Sequence, residues 1–256
     1  RYLIIHAHMY QPPRQDPFTG DFEFDFSAKP YDSWNHRIAM ECYFPNLYGR
    51  IYDKDGNIIE MINNYEYLNF DFGPTLLNWI ELKYPSYYKK LIESIKKIRQ
   101  EKGFSQAIAC VYNHTILPLD SFITQLNQIY WGIKDFLHRF GFYPDGIWLS
   151  ETAVNENVLK ILIDHNIKYV ILAPYQIKES IDLKTRQKLP PMPNTHYIWF
   201  DKDEKGNKIE ERSIHILTFD LELSRKIAFE NLTSNAETFT KAIHQAHTNQ
   251  DFILIA

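Results

Sequence analysis

Residues 107–112 read Ala-Ile-Ala-Cys-Val-Tyr, and residues 146–149 read Gly-Ile-Trp-Leu. Each run is short and almost wholly apolar, which is typical of a strand buried on both faces of a parallel sheet. The segment between them carries an apolar face at helical spacing, formed by Phe122, Leu126, Ile129, Ile133, Phe136 and Phe140. Strand, helix and strand in this order predict a right-handed βαβ unit.

Further apolar runs of similar length extend this pattern in both directions along the chain. They are Tyr2–Ala7, one of Ile58–Asn63 or Tyr67–Phe72, Tyr169–Ala173, Ile214–Phe219 and Phe252–Ala256. About seven strands therefore alternate with helices, which predicts the α/β class, and both an open doubly wound sheet and a closed barrel fit. No Gly-x-Gly-x-x-Gly motif follows the first strand, which counts against a dinucleotide-binding sheet.

The composition excludes several other classes of protein. The chain has 256 residues, of which 45% are hydrophobic and 15% aromatic, and this excludes a disordered protein. Two cysteines are too few for a disulfide scaffold, and no apolar run approaches the ~18 residues of a membrane span. With 28 Lys and Arg against 32 Asp and Glu, a nucleic-acid partner is not expected. No secretory signal is recognisable, so we expect a cytoplasmic protein that binds neither nucleic acid nor membrane.

The chain is expected to form a single domain over residues 1–256, with insertions near residues 11–60 and 195–213. Each insertion contains a hairpin-like turn, at Asp55-Gly56 in the first and at Lys205-Gly206-Asn207 in the second. The last apolar run stops where the chain stops. We therefore expect that the chain is truncated at the carboxyl end of its last strand and that a helical region follows in a longer protein.

Candidate functional residues follow the predicted strands at the point where each strand ends. Parallel α/β sheets and barrels bind ligands at the carboxyl ends of their strands. The candidates are His6, His8 and Gln11 after the first strand, Asn113 and His114 after the third, Trp148 and Glu151 at the fourth, and Asp220 after the sixth. Polar groups from several strands thus gather at one end of the sheet, as a composite site requires.

The histidines admit more than one interpretation. His6 and His8 alternate along the first strand, so their side chains point to one side, which suits a pair of metal ligands or a pair of hydrogen-bonding groups. No Asp stands at a deacetylase-like spacing and no His-x-x-x-His helix is present, so the metal interpretation is the weaker one. His114 could bind a hydroxyl-rich ligand or could be a hydrogen-bonded packing residue.

The two carboxylates and the tryptophan also admit more than one interpretation. Glu151 lies at the tip of a buried strand, where burying a carboxylate is energetically unfavourable unless it is paired or has a functional role. It could also be an acidic residue in the first turn of the next helix, where the helix dipole would stabilise its charge. The neighbouring Trp148 favours a functional role for Glu151, because an indole face stacks well on a sugar ring. Ordinary packing in the core would also explain Trp148. Asp220 could serve a ligand or cap the helix that follows it.

Several of these segments resemble known motifs. Residues 6–13, His-Ala-His-Met-Tyr-Gln-Pro-Pro, resemble the first motif of glycoside hydrolase family 57, and residues 146–153, Gly-Ile-Trp-Leu-Ser-Glu-Thr-Ala, resemble its third. Residues 69–77 and 112–119 resemble a less characterised branch of that family. The resemblance spans residues 1–256.

The resemblance implies a distorted (β/α)7 barrel and an enzyme that acts on α-glucans with retention of configuration. Amylases, amylopullulanases, 4-α-glucanotransferases and branching enzymes belong to the family, and it requires neither a metal nor an organic cofactor. On the matching motif, Glu151 would be the catalytic nucleophile of a double displacement. The residues expected to bind the sugar are His6, His8, Gln11, Asn113, His114 and Trp148.

The chain also departs from the family pattern. The family's general acid is an Asp at the tip of the last strand, so we expect it just after Ala256. Asp220 stands one strand too early for that role and is assigned to sugar hydroxyls instead. Two alternatives remain open: a metal-dependent polysaccharide deacetylase or α-mannosidase-like enzyme on a similar barrel, and a carbohydrate-binding domain without activity.

Overall fold

A computed structural model describes residues 2–22, 24–246 and 251–256. Over these ranges the extended segments are β1 Tyr2–Met9, β2 Gly49–Tyr52, β3 Ile58–Ile62, β4 Asn69–Phe72, β5 Ala107–Cys110, β6 Gly146–Trp148, β7 Tyr169–Leu172, β8 Ser180–Ile181, β9 Lys188–Leu189, β10 His196–Lys202, β11 Lys208–Thr218 and β12 Phe252–Ile255. The α-helices are α1 Trp34–Ile38, α2 Phe44–Asn46, α3 Pro74–Lys83, α4 Pro85–Lys102, α5 Phe122–Phe140, α6 Glu156–Asp164, α7 Leu221–Phe229 and α8 Ala236–Ala246. Within these ranges, no helix has both the length and the hydropathy needed to cross a bilayer.

Eight strands form the central sheet in the order β10-β11-β7-β6-β5-β4-β1-β12. All neighbours from β11 to β12 pair in parallel, and β10 alone is antiparallel, as an edge strand hairpinned onto β11. Seven parallel strands that alternate with helices confirm the predicted α/β class. The parallel arrangement brings the carboxyl ends of all seven strands to one rim.

The sheet curls until its two flanks meet. Alternate residues of β12 face opposite sides: Leu254 packs with Cys110, Trp148 and Phe219, whereas Ile253 and Ile255 pack against α7 and α8. A core made by side chains of non-adjacent strands requires a curved sheet that encloses them. At the rim, the amide of Asp220 after β11 donates to the carbonyl of Leu254 at 2.7 Å, which joins the two flanks.

Helix α5 lies unusually close to the strand beneath it. A Cβ atom built on Gly132 would stand 2.0 Å from the carbonyl oxygen of Cys110, so only glycine fits at this contact. The helix is capped by the Ser121 side chain, which accepts from the amide of Thr124, and it ends at Gly141 in the left-handed region. This close seating fixes the loop that follows β5.

The two alternative candidates for the second predicted strand form strands in different sheets. Residues 69–72 form β4 of the central sheet, while residues 58–62 pair with β2 in a separate two-stranded hairpin. This hairpin and the β10–β11 hairpin lie in the two predicted insertions, and both turn through an Asp-x-x-Gly-Asn segment. Asp53 and Asp203 each accept the backbone amide two residues on and that of the final Asn, which stabilises the turns.

Candidate active site

The innermost part of the site is built by two neighbouring strands in register. His6 and His8 of β1 stand opposite Asn69 and Asp71 of β4, so the two alternating pairs share one face of the sheet. The Asp71 carboxylate is fully buried and accepts from His6 Nε2 at 3.1 Å and from His8 Nδ1 at 2.9 Å. Asp71 was not among the predicted site residues, although its period-two spacing from Asn69 matches that of the two histidines.

The orientation of His6 is set by a short chain of hydrogen bonds. The Asn69 amide nitrogen donates to the carbonyl of Gln106 at 2.6 Å, which leaves its oxygen facing His6 Nδ1 at 2.5 Å. Both ring nitrogens of His6 therefore face oxygen acceptors, one on Asn69 and one on Asp71. The ring is held by β4 from both ends and is buried, so it supports the site from below.

His8 and His114 form a pair of unequal basicity. Their Nε2 atoms lie 3.0 Å apart, so one ring must donate and the other accept. Burial alone would lower the pKa of His8, but the charge and hydrogen bond of Asp71 outweigh it and raise that pKa, with a further contribution from Glu151. Burial and the neighbouring charge of His8 lower the pKa of His114. His8 is thus the more basic ring and the better hydrogen-bond donor of the pair, and His114 is the better acceptor.

A stack of rings surrounds this pair. Trp148 lies parallel to His6 at 4.7 Å between ring centroids and to His8 at 5.1 Å. On the other side, His8 stacks on His114 at 5.1 Å, and His114 stacks on Tyr10 at 3.8 Å. Tyr10 was not predicted, but it lies inside the first motif and on the same alternating face as the two histidines.

Trp148 is only 7% exposed, so core packing accounts for much of its environment. Its indole Nε1 and the hydroxyl of the nearby Ser150 are both buried and have no protein partner within the part of the chain that the structure describes. Buried donors are nearly always paired, so each such group calls for an explanation. Stacking of Trp148 on a sugar stays a prediction.

Glu151 is exposed at the rim, directly after β6, in a strained backbone conformation. Its φ is +53° and that of Thr152 is +54°, a region that non-glycine residues rarely occupy and that is retained mainly at functional sites. Helix α6 begins only at Glu156 and is capped by Asn155, so the interpretation of Glu151 as a first-turn acid of that helix is wrong. The charge of Glu151 acts on both His8 and His114: it adds to the raised pKa of His8 and partly opposes the lowering of the pKa of His114 by burial and by His8.

The turn at Glu151 is secured by Gln176 from the neighbouring strand. The side-chain nitrogen of Gln176 donates to the carbonyl of Thr152 at 2.6 Å, and its oxygen accepts from the amide of Ala173 at 2.8 Å. The end of β7 therefore holds the end of β6. Gln176 follows the predicted strand Tyr169–Ala173, but the sequence does not indicate which backbone groups its side chain binds.

The loop that carries Asn113 and His114 is anchored in a similar way on α5. The buried Gln128 accepts the amide of Asn113 on its side chain at 2.8 Å and the amide of Tyr112 on its backbone carbonyl at 3.2 Å. His114 has a φ of +56°, so a second site residue occupies the left-handed region. Asn113 is exposed beside it.

Two predicted residues lie at the margins. Asp220 caps α7, where it accepts the amide of Leu223 at 2.9 Å, and it also accepts from the Asn194 side chain at 3.1 Å. Gln11 accepts from Arg14 at 3.2 Å and contacts Thr75 through its backbone carbonyl. The capping interpretation of Asp220 is therefore confirmed, and sugar binding by Asp220 and Gln11 stays a prediction.

Histidine and carboxylate side chains lie close together in this cluster, as they do in many metal sites. Over the described ranges, no group of three or more His, Cys, Asp or Glu side chains is placed to hold a metal ion. The ring nitrogens that would act as ligands are engaged: His6 faces Asn69 and Asp71, and His8 faces Asp71 and His114. The chemistry available here is hydrogen bonding and charge at an exposed carboxylate.

The sequence model of glycosyl hydrolase family 57 matches residues 3–256. This chain belongs to glycosyl hydrolase family 57. Alpha-amylase 1 of Dictyoglomus thermophilum is 30% identical to it over 105 residues, which cover 41% of this chain and 15% of that enzyme. The 4-alpha-glucanotransferase of Thermococcus litoralis is 27% identical over 140 residues, which cover 54% of this chain and 20% of that enzyme. The family 57 chain described here thus matches a small part of each curated relative.

Solved structures agree with this assignment at the level of the fold. An exo-type maltose-forming amylase from Pyrococcus sp. ST04 aligns with 99% of this chain and 41% of its own, with a TM-score of 0.68 and 14% identity. The Thermococcus litoralis 4-alpha-glucanotransferase aligns with 99% of this chain and 32% of its own, with a TM-score of 0.58 and 17% identity. At such identities the likeness establishes the shared fold of the family 57 chain.

Proposed function

We propose that this family 57 protein is a retaining enzyme acting on α-glucans, either a hydrolase or a glucanotransferase, with Glu151 as its nucleophile. The observation that carries the proposal is the placement of Glu151, an exposed carboxylate on a strained turn at the strand rim, within electrostatic reach of His8 and His114. The printed functions of the relatives, an alpha-amylase and a 4-alpha-glucanotransferase, support the choice of substrate.

In the proposed reaction the ionised Glu151 attacks the anomeric carbon of the bound sugar. The glycosidic bond breaks, its electron pair goes to the leaving oxygen, and a carboxylic acid gives that oxygen a proton. Glu151 is then linked to the sugar as an ester. Water or the hydroxyl of an acceptor sugar then attacks the same carbon and gives its proton to the second carboxyl group, which lost its own proton in the first step. The ester bond breaks, and Glu151 is released as a carboxylate.

The acid that completes this pair is proposed to be an Asp directly after Ala256. Retaining enzymes hold the two carboxyl groups ~5–5.5 Å apart, and the acid must keep its proton until substrate binds. The end of β12 lies at the same rim as Glu151, and there the amide of Ala256 donates to the Ser224 hydroxyl at 3.1 Å. An acid placed next along this strand could reach the leaving oxygen.

The histidine cluster would orient the sugar. A charged imidazole donates stronger hydrogen bonds than a neutral one, and Asp71 favours the charged form of His8 by raising its pKa, against the opposing effect of burial. The unpaired donors on Trp148 and Ser150 lie at the same strand end, and a hydroxyl-rich ligand offers the acceptors that such groups need. These contacts would fix the anomeric carbon over Glu151.

The test is the substitution Glu151→Gln in the complete protein, assayed on α-1,4-glucans. The variant keeps the size of the side chain and removes its nucleophilicity, so turnover is expected to fall by at least about a thousandfold. Glu156→Gln is the matched control, because Glu156 is also exposed and lies close by in the chain, at the start of α6. Full turnover in Glu151→Gln, with both variants folded by thermal melting, would remove Glu151 from this role.

A further inference from the structure

A groove outside the strand rim combines exposed aromatic rings with polar side chains. It is an open depression of about 540 Å³ beside α5 and is lined by Tyr112, Trp131, Lys134, Asp135 and His138. Sites for small ligands usually have volumes of ~300–1,000 Å³. Trp131 is 44% exposed, so its side chain is accessible to a ligand in the groove.

The rings in the groove are set at an angle to one another. Tyr112 meets Trp131 edge to face, with 5.9 Å between ring centroids and 75° between ring planes. The exposed indole forms a flat floor, and the tyrosine forms a wall. A sugar ring presents one apolar face of C–H groups and an equatorial rim of hydroxyls, so it can lie on the floor while its hydroxyls remain free.

Polar side chains line the groove beside these rings. The Asp135 carboxylate is fixed by Arg139 Nε at 2.9–3.0 Å, so it is an acceptor of settled orientation. Lys134 lies 5.2 Å above the ring of Tyr130, beside the groove, and His138 stands one turn further along the helix. Mixed donors and acceptors around an aromatic floor suit a neutral polyhydroxylated ligand better than an anion or an apolar peptide.

The groove and the candidate active site share the loop that follows β5. Tyr112 is followed by Asn113 and His114, and the buried Gln128 holds this loop on α5. Gln128 and Trp131 are three residues apart on the helix and therefore share a face. Tyr112 therefore links the rim, where Asn113 and His114 follow it in the chain, to Trp131, which it contacts edge to face.

We propose that Tyr112 and Trp131 form a secondary glucan-binding site that holds a distant part of a polymeric substrate outside the active site. The proposal rests on the proposed function for the nature of the polymer. Such a site raises the local concentration of chain ends near Glu151 without touching the reacting atoms.

The test compares Trp131→Ala with Tyr130→Ala in the complete protein that carries Glu151→Gln to prevent turnover. Tyr130 is the neighbouring residue on α5, it is 43% exposed, and it lies outside the groove, so it is a matched control. Retardation in gels containing soluble amylose measures binding. Removal of an aromatic anchor is expected to weaken amylose binding about tenfold in Trp131→Ala and to leave Tyr130→Ala within about twofold of the parent.

A kinetic and a spectroscopic readout separate binding from folding. With Glu151 intact, Trp131→Ala should lower kcat/KM on amylose and leave kcat/KM on maltotriose unchanged, because the short substrate does not reach the groove. Trp131→Phe keeps an aromatic floor, so it should bind amylose nearly normally, and it should lack the part of any maltoheptaose-induced indole fluorescence change that comes from Trp131. Equal amylose binding by Trp131→Ala and Tyr130→Ala would overturn the proposal. If Glu151→Gln proved fully active while amylose binding still depended on Trp131, the proposed nucleophile would fail and the secondary site would stand.

Discussion

Asp71→Asn is the substitution that tests the histidine cluster most sharply. The carboxylate is fully buried and receives one hydrogen bond from each of two histidines, so the change removes a buried negative charge and leaves shape and volume almost intact. Hydrogen bonds to a charged group contribute ~1.5–3 kcal/mol each, and breaking a buried pair costs ~3–5 kcal/mol. Since an amide oxygen can still accept one of the two bonds, we expect a loss of about 3 kcal/mol in the free energy of unfolding.

The loss should depend on pH in a definite direction. His8 has a pKa raised above its ordinary value of 6.5, so its stabilisation is complete below pH 6.5 and is lost as the pH rises through the raised pKa. Asp71 has a pKa lowered below its ordinary value of 3.8, so its stabilisation is complete above pH 3.8 and is lost as the pH falls through the lowered pKa. The difference between parent and variant should therefore be largest between pH 3.8 and pH 6.5.

Urea unfolding at pH 5.5 and at about pH 9 measures this difference, and a thermal melt at pH 5.5 should show a fall of ~6–12 °C for a chain of this size. Glu93→Gln is the control, because it removes an exposed ion pair with Lys89 that should contribute little. A loss below about 0.5 kcal/mol in the free energy of unfolding at pH 5.5, or an equal loss at both pH values, would refute the claim that the charge of Asp71 stabilises the cluster.

Three further predictions concern the surroundings of the site. Gly132→Ala should lower the free energy of unfolding by at least about 2 kcal/mol in urea, because its Cβ would collide with the Cys110 carbonyl, and an unchanged value would contradict the seating of α5. Gln176→Glu keeps the acceptor for the Ala173 amide and loses the donor to the Thr152 carbonyl, so kcat should fall about tenfold at an unchanged Tm. An unchanged kcat would show that Gln176 does not position Glu151. Glu151→Gln should lower the pKa of His8 in an NMR titration, and an unmoved titration would place the two side chains far apart.

The sequence was most informative about the strands. Buried parallel strands are continuous apolar runs, and all seven appear in the sheet with bounds within a few residues of those predicted, apart from a longer β11. The second strand was ambiguous because 58–62 and 69–72 are both apolar, and only tertiary pairing decides which joins the sheet. Segment 58–62 is exposed along most of its length, so its apolar side chains do not report burial in the core.

The candidate site was predictable only where the chemistry falls on strand ends. His6, His8, His114 and Glu151 are brought together, as expected from the rim of a parallel sheet. Asp71 was missed because its contacts with the histidines depend on the register of two strands 63 residues apart in the chain.

The positioning residues were missed for a different reason. Gln128 and Gln176 act through backbone groups of other loops, and hydrogen bonds of that kind leave no period or motif in a sequence. The roles of these two glutamines can be seen only in the structure, where they hold the loops in which His114 and Glu151 adopt a positive φ.

The central claim, that Glu151 forms a bond to the sugar, can be tested directly by mass spectrometry of trapped enzyme. The complete protein would be incubated with a fluorinated α-glucosyl fluoride, which forms the glycosyl ester and slows its breakdown, and then digested with pepsin. We predict a single added glycosyl mass on the peptide that contains Glu151, absent in Glu151→Gln and present in Glu156→Gln. Inactivation by the same reagent with the label on any other carboxylate would contradict the account.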